Sequence, residues 1–183
     1  MRRQVVAPGT RADLVPDKVP RAMARHFFKL SECDEAFLAS APNRQVGVFE
    51  IPHPAERVWS ALTADGTLSW CRALASVTWT SPRPFGVGTT RTVKTPLGAL
   101  VLKETYFIWE EGRRKSFYVS EASLPLFRRF AEDYLVEETS PTTCRFTWTV
   151  ASEVPPAAKP GNPINGLITK SLFSDTKRHF GAK

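Results

Sequence analysis

The sequence has few cysteines, and none of them is arranged in a way that indicates a disulfide framework or a metal site. Cys33, Cys71 and Cys144 form no CxxC motif, and no histidine lies at a spacing typical of metal ligands. This pattern excludes a small disulfide-stabilised scaffold and a zinc module. We therefore expect no metal and no cofactor, and a reducing, cytoplasmic location.

Long apolar runs and nucleotide-binding motifs are also missing. No stretch approaches the roughly 18 consecutive apolar residues of a membrane span, and residues 1–20 lack the apolar region of a signal peptide. There is no GxGxxG after a strand and no GxxxxGK[ST], so nucleotide binding is unsupported. Without a GxSxG motif, or a cysteine with a convincing histidine partner, hydrolase chemistry has no visible nucleophile.

The positive charge is concentrated at one end of the chain. Of the formal net charge of +7, residues 1–30 contribute +5, with seven Lys or Arg against two Asp. Such a segment is typical of a solvated tail. No aromatic–basic strand pattern accompanies it, so we expect no nucleic-acid partner. A weak membrane-surface contact through this basic segment stays open.

The chain divides into an N-terminal extension, 1–43, and one domain, 44–183. At 183 residues, with five Trp and twelve Phe, the domain can enclose a largely aromatic core. The extension reads as a flexible arm followed by short helices. Helical spacing predicts these helices over Lys18–Leu30 and Asp34–Ser40.

From Gln45 onward the pattern changes to that of an antiparallel meander in an α+β domain. Pro54 suits the first turn of a helix that runs to about Thr63, and a further helical turn is expected at 67–71. A long helix from about Ile164 to Phe180 closes the chain. Strands are predicted at 45–51, 77–80, 89–94, 100–109, 115–120, 130–137 and 144–150.

The period of two along the strands assigns the faces of the sheet. We expect Arg91 opposite Leu102, and Val136 opposite Cys144. Three charged side chains then lie on an otherwise apolar inner face: Arg91, Glu104 and Glu132. Because an isolated buried charge is costly, these groups should be paired, hydrated or facing a cavity. An ion pair that only fixes the sheet and a polar anchor for a ligand both remain open.

The outer face carries an aromatic patch, predicted to consist of Phe107, Trp109 and Tyr118. An exposed patch of this kind usually has a cover. We expect the N-terminal extension or a partner subunit to provide it, and the second option allows a homodimer.

A series of local motifs resembles the START/birch-pollen-allergen (SRPBCC) superfamily, in its polyketide cyclase/dehydrase-like branch. The likeness covers about residues 45–181. It implies a helix-grip fold: a curved antiparallel sheet of six to seven strands wrapped around the long C-terminal helix, with two short helices after the first strand. The motifs are PAERVW (54–59), LSW (68–70), FGVGTTR (85–91), WEEGRR (109–114), FAEDY (130–134) and CRFTWTV (144–150).

The resemblance also implies a cavity between the sheet and the C-terminal helix that takes hydrophobic molecules such as lipids or polyketides. Arg91 would be its polar anchor. Alternatively, the large side chains simply fill the space. Carried over to this chain, the lining would come from Trp70, Tyr106, Phe117, Tyr134, Trp148, Ile168, Leu172 and Phe173.

Three functional hypotheses follow. The first is binding, for carriage or sensing, of a hydrophobic small molecule. The second is an aromatase/cyclase- or dehydratase-like enzyme, with Glu104 or Glu132 as a buried general acid or base and Tyr134 beside it. The third is a membrane or protein adaptor that uses the basic N-terminal segment. Members of one fold catalyse unrelated reactions, so the resemblance alone does not decide between them.

Overall fold

The computed structural model describes residues 25–156 and 162–183, without the side chains of 162–165. Its helices are α1 (Glu35–Ser40), α2 (Ala55–Thr63) and α3 (Asn162–Phe180), and a 3₁₀ turn spans Pro96–Gly98. The strands are β1 (Phe28–Lys29), β2 (Asn43–Ile51), β3 (Ser76–Trp79), β4 (Thr90–Lys94), β5 (Val101–Glu110), β6 (Arg114–Ala122), β7 (Arg129–Ser140) and β8 (Thr143–Glu153).

The strands form one curved, open antiparallel sheet in the order β2-β8-β7-β6-β5-β4-β3. The inner face of this sheet, α2 and α3 enclose the main core, to which α3 contributes Leu172 and Phe180. This arrangement confirms the helix-grip α+β fold. After α2, residues 64–71 form consecutive turns, with Cys71 N–H donating to Leu68 O at 2.9 Å, where a helical turn was expected.

The helix predicted over Lys18–Leu30 is wrong for its last part, and residues 18–24 lie outside the described residues. Phe28 and Lys29 are extended and pair with Ala122 and Glu121 of β6. The reason is a gap in the sheet, because β7 pairs only with residues 114–118 of β6. Unpaired backbone groups at such a gap are unfavourable, and β1 satisfies them.

Helix α1 covers the outer face of the sheet, as the aromatic patch there predicted. The side chain of Asp34 caps the helix by accepting a bond from Phe37 N at 2.9 Å. Phe37 and Leu38 are buried in a second apolar cluster, against which Phe107 and Tyr118 pack. The extension therefore provides a cover for the patch, whereas the domain boundary at residue 43 stays a prediction.

The strand register differs from the expected one by two residues in two hairpins, which leaves the faces unchanged. Arg91 lies opposite Glu104, and Val136 lies opposite Phe146. A bulge between Tyr106 and Ile108 does change a face. It moves Trp109 from the predicted outer patch to the main core, where its ring lies 5.1 Å from that of Tyr106.

Replacing Phe37 with Ala should destabilise the protein by about 3 kcal/mol, because a buried phenylalanine is removed from the cluster that closes the outer face. Urea unfolding followed by tryptophan fluorescence measures this loss. Phe28→Ala is the matched control, since Phe28 is already exposed and should cost less than about 1 kcal/mol. Equal losses in the two variants would contradict the role given to α1.

Candidate functional site

A cavity lies between the inner face of the sheet and α3. Its volume is about 90 Å³, and its wall is mainly apolar, with side chains from β4, β5, β7, β8 and α3. Four ionisable or phenolic side chains interrupt this apolar wall: Arg91, Glu104, Glu132 and Tyr134. A mostly apolar pocket with a few convergent polar groups is typical of a small-molecule site.

The structure brings together most of the side chains that the sequence proposed for this site. Arg91, Glu104 and Glu132 line the cavity, together with Tyr134, Trp148, Ile168 and Leu172. Four predicted lining residues do not form part of its wall: Trp70, Tyr106, Phe117 and Phe173. The binding and catalytic roles of all these residues stay predictions.

Trp70 anchors α3 where a cavity wall was expected. Its indole Nε1 donates to Thr176 Oγ1 at 3.0 Å, and its ring stacks on His179 with centroids 4.2 Å apart. Nearby, Asp175 accepts bonds from the backbone and the side chain of Arg72. These contacts fix the rotation of α3, and hence which of its residues face the cavity.

Phe173, Phe117 and Tyr106 pack elsewhere in the core for similar geometric reasons. Phe173 lies against Trp148, with ring centroids 5.4 Å apart. It approaches β2 at Gly47, where an added Cβ would come within 3.0 Å of the Phe173 ring. The Phe117 ring lies under the guanidinium of Arg91, 4.5 Å from ring centroid to Cζ, and Tyr106 packs against Phe117.

Arg91 and Glu104 form a buried ion pair across β4 and β5. The two residues are 1% and 3% exposed, and Arg91 Nε donates to Glu104 Oε2. Burial raises the pKa of Glu104, although Arg91 opposes this. Burial also works against the charge on Arg91, but Glu104 keeps the pKa of the guanidinium well above its usual value.

The ion pair between Arg91 and Glu104 leaves one hydrogen-bond donor of Arg91 without a partner among the residues that the structure describes. Within the described parts of the chain, the buried side-chain atoms without a hydrogen-bond partner are Arg91 Nη1 and the hydroxyl oxygen of Tyr106. A buried donor without a partner costs about 1–3 kcal/mol. Arg91, which lines the cavity, therefore has a donor left for a further oxygen atom.

Glu132 is the group in the cavity best suited to exchange a proton near neutral pH. One of its oxygens, Oε2, accepts bonds from Tyr134 Oη at 3.0 Å and Trp148 Nε1 at 2.9 Å. Burial and the neighbouring Glu104 raise the pKa of Glu132 to about 7, and Arg91 offsets part of this effect. A carboxyl group with such a pKa can act as a general acid or base.

Sequence reasoning missed Lys115, which is fully buried beside the ion pair. Its Nζ donates to the backbone oxygen of Leu62, in the last turn of α2. Burial and the charge of Arg91 lower the pKa of Lys115 well below its usual value. Continuing the period of two backward from Phe117 and Val119 would have placed Lys115 on the inner face.

The described residues contain no group of three or more His, Cys, Asp or Glu side chains that could hold a metal ion. Among the same residues, no helix is both long enough and apolar enough to cross a bilayer.

Comparison with known proteins decides the family. A family model described as "Polyketide cyclase / dehydrase and lipid transport" matches residues 45–176. The chain belongs to this family. Proteins similar to it include an uncharacterised protein of Mycobacterium tuberculosis, 36% identical over 118 residues, which cover 62% of this chain and 70% of the relative. A protein of Mycobacterium bovis matches with the same figures.

Solved structures of related fold agree with the family. A START superfamily protein from Mycobacterium smegmatis aligns with a TM-score of 0.62 at 11% identity, covering 75% of this chain and 97% of the other. Norcoclaurine synthase from Thalictrum flavum, solved with dopamine and hydroxybenzaldehyde, aligns with a TM-score of 0.52 at 14% identity over 83% and 96% of the two chains. Identities this low show a shared fold alone.

The raised pKa of Glu132 predicts that stability falls as pH rises from about 4.5 to about 7. In this window the folded state holds a proton that the unfolded state has released, so raising the pH favours unfolding. Each pKa unit corresponds to about 1.4 kcal/mol, so the loss is on the order of 3 kcal/mol.

Urea unfolding at several pH values tests this, with Glu132→Gln expected to flatten the profile. Glu137→Gln, on the same strand but exposed, is the matched control and should leave the slope unchanged. A slope that is the same in wild type and Glu132→Gln would contradict the assignment.

Proposed function

We propose that this protein binds a hydrophobic small molecule, such as a lipid or polyketide, in the cavity, for carriage or sensing. The observation that carries the proposal is the buried Nη1 of Arg91, which has no partner among the described residues and belongs to a side chain lining a mainly apolar cavity. Family membership supports the same class of function.

The unpartnered donor of Arg91 suggests which polar group the ligand carries. Glu104 occupies the Nε side of the Arg91 guanidinium, which leaves Nη1 to bond a carboxylate, phenolate or carbonyl oxygen. Tyr134 lines the same cavity, and because its O–H already donates to Glu132, its oxygen is left to accept a bond from a hydroxyl group of the ligand. Apolar burial against residues such as Trp148 and Leu172 would supply most of the affinity.

The size of the cavity constrains how such a ligand enters. Its volume of about 90 Å³ is below the roughly 300–1,000 Å³ of ordinary ligand pockets. A lipid-sized molecule therefore requires wall side chains to move. Ile168, which is 37% exposed, and the partly buried Phe130 are suited to this, because neither is locked inside the core.

Isothermal titration with decanoate and 1-decanol tests whether Arg91 binds the polar group of the ligand. The two compounds have the same alkyl chain length and differ in their oxygen group. The double variant Arg91→Met/Glu104→Met removes both buried charges together, so that neither is left unpaired. We expect it to bind decanoate roughly tenfold to a hundredfold more weakly, the value of a charged hydrogen bond, while 1-decanol binding stays within about threefold.

The matched control is Arg145→Met/Glu50→Met, which removes an exposed Arg–Glu pair facing each other across β2 and β8. It should bind both compounds like wild type. If wild type binds neither compound, the proposal of ligand binding fails. If Arg91→Met/Glu104→Met lowers the affinity for both compounds equally, Arg91 does not bind the polar group of the ligand.

A second candidate, a cyclase/aromatase- or dehydratase-like enzyme, is favoured by one specific observation. Glu132 has a pKa of about 7 and shares a hydrogen bond with Tyr134 at the cavity. A ligand held at Arg91 would meet a group that can both donate and accept a proton. In that role Glu132 would transfer a proton to or from the carbon or oxygen atom that reacts.

For this candidate, Glu132→Gln and Tyr134→Phe should each lower turnover by two or more orders of magnitude, while decanoate affinity changes modestly. Mass spectrometry of metabolite extracts incubated with wild-type protein would first identify a converted compound, such as one that has lost water. Absence of any wild-type conversion, or variants as active as wild type, would leave binding as the function.

The location and assembly of the protein belong to the same proposal. A cytoplasmic protein would meet its ligand in a reducing environment, consistent with three free cysteines. A homodimer is the remaining expectation from the sequence, and analytical ultracentrifugation measures it directly.

A further inference from the structure

The mouth of the cavity is bordered by three chain segments. Thr95 and Leu100 flank the turn between β4 and β5, Phe127 belongs to the loop between β6 and β7, and Ile168 belongs to α3; all four line the cavity. The turn and the loop are tied together at Ser123. Its backbone N–H donates to Val101 O at 2.9 Å, and its Oγ accepts from Val101 N at 2.9 Å.

Each of the three segments carries an exposed aliphatic side chain. Eight large apolar side chains are exposed in the described part of the chain, and four of them lie on these segments: Leu97, Leu124, Leu167 and Ile168. Single exposed apolar residues are normal on a protein surface. A group of them around the entrance to a cavity instead indicates a surface that meets something apolar.

Leu97 is the clearest member of this group, which we call the apolar rim. It is fully exposed and has left-handed backbone angles, φ 58° and ψ 11°. Leucine is disfavoured in this conformation, which glycine and asparagine adopt readily. The residue gains no burial and adopts an unfavourable backbone, so a role outside folding explains it better than a structural one.

Three cationic side chains lie on or next to the segments of the apolar rim. Arg25 Nη1 donates to Gly98 O at 2.7 Å in the same turn, and Lys94 and Lys170 are exposed beside Thr95 and Thr169. Within the described residues, Arg25, Lys94 and Lys170 form no ion pair. By contrast, the nearby carboxylate of Glu121 is paired with Lys103.

Residues 1–24 of the sequence, which precede Arg25, contain five Lys or Arg and two Asp. Apolar side chains with cationic ones beside them are complementary to an anionic bilayer. The aliphatic groups enter the acyl boundary, and the cations stay at the headgroups.

We propose that the apolar rim docks the cavity mouth onto an anionic lipid bilayer. Docking would place the entrance against the apolar layer, so that a hydrophobic ligand can enter or leave without crossing water. The value of docking for ligand transfer rests on the proposed function, but docking itself requires no ligand.

Vesicle sedimentation with the full chain tests docking. Vesicles of phosphatidylcholine with phosphatidylglycerol should bind wild-type protein, more weakly at high salt, and vesicles of phosphatidylcholine alone should bind it much less. Leu97→Asn should lower the partition coefficient roughly tenfold, by removing one inserted side chain. Its Tm should stay equal or rise, because asparagine tolerates the left-handed backbone.

Val87→Asn is the matched control, since Val87 is exposed in the loop near Phe85 and Trp109, at the opposite end of the sheet. It should bind vesicles like wild type. Leu97→Asn binding as tightly as wild type would overturn the proposal. Wild-type protein that binds a short RNA but not anionic vesicles would also overturn the proposal, because the positive charge would then bind nucleic acid.

Decanoate titration without vesicles keeps this proposal separate from the proposed function. Leu97→Asn should bind decanoate like wild type, because its side chain lies outside the cavity wall. Vesicle binding without decanoate binding would support the docking surface and overturn the proposed ligand. The reverse result would support the ligand and overturn docking.

Discussion

The buried ion pair between Arg91 and Glu104 is the constraint around which the inner face of the sheet is organised. Two charges removed from water are tolerated only with good geometry and further partners. The direct cross-strand pairing of β4 and β5 supplies the geometry, and the Phe117 ring under the guanidinium supplies a polarisable surface. Burial raises the pKa of Glu132, the charge of Glu104 adds to this effect, and Arg91 opposes it, so both members of the pair act on the proton of Glu132.

The two ends of the sheet are built differently. At the end near α2, Trp59, Trp79 and Trp109 pack edge to face around the buried amine of Lys115. At the other end the cavity lies between aliphatic residues of the strands and α3. Large rigid rings fill space efficiently, whereas smaller aliphatic side chains leave room and can change rotamer. The cavity between the sheet and α3 therefore lies at one end, and a separate pocket lined by residues such as Phe85 and Trp109 lies at the other.

The proposals describe successive stages at the cavity end of the molecule. In them, the apolar rim would meet a bilayer, the aliphatic wall would take up the apolar part of a ligand, and Arg91 would bond its oxygen. In the enzyme proposal Glu132 would exchange the proton, because burial and Glu104 raise its pKa to about 7. Family membership is common to all of these stages and selects none of them, so specificity rests on a few side chains of this chain.

The sequence by itself determined the fold class and the inward direction of Arg91, Glu104 and Glu132. Alternation along β5 and β7 places Glu104 and Glu132 inward whatever the exact register, because a shift of two residues preserves the face. Tertiary structure decided what local periodicity does not contain. The bulge after Tyr106 turned Trp109 inward, the gap beside β6 made residues 28–29 a strand, and contacts at Trp70 and Gly47 set the rotation of α3. Each depends on residues far apart in the chain, so the cavity wall, unlike the faces of the strands, follows only from the packed structure.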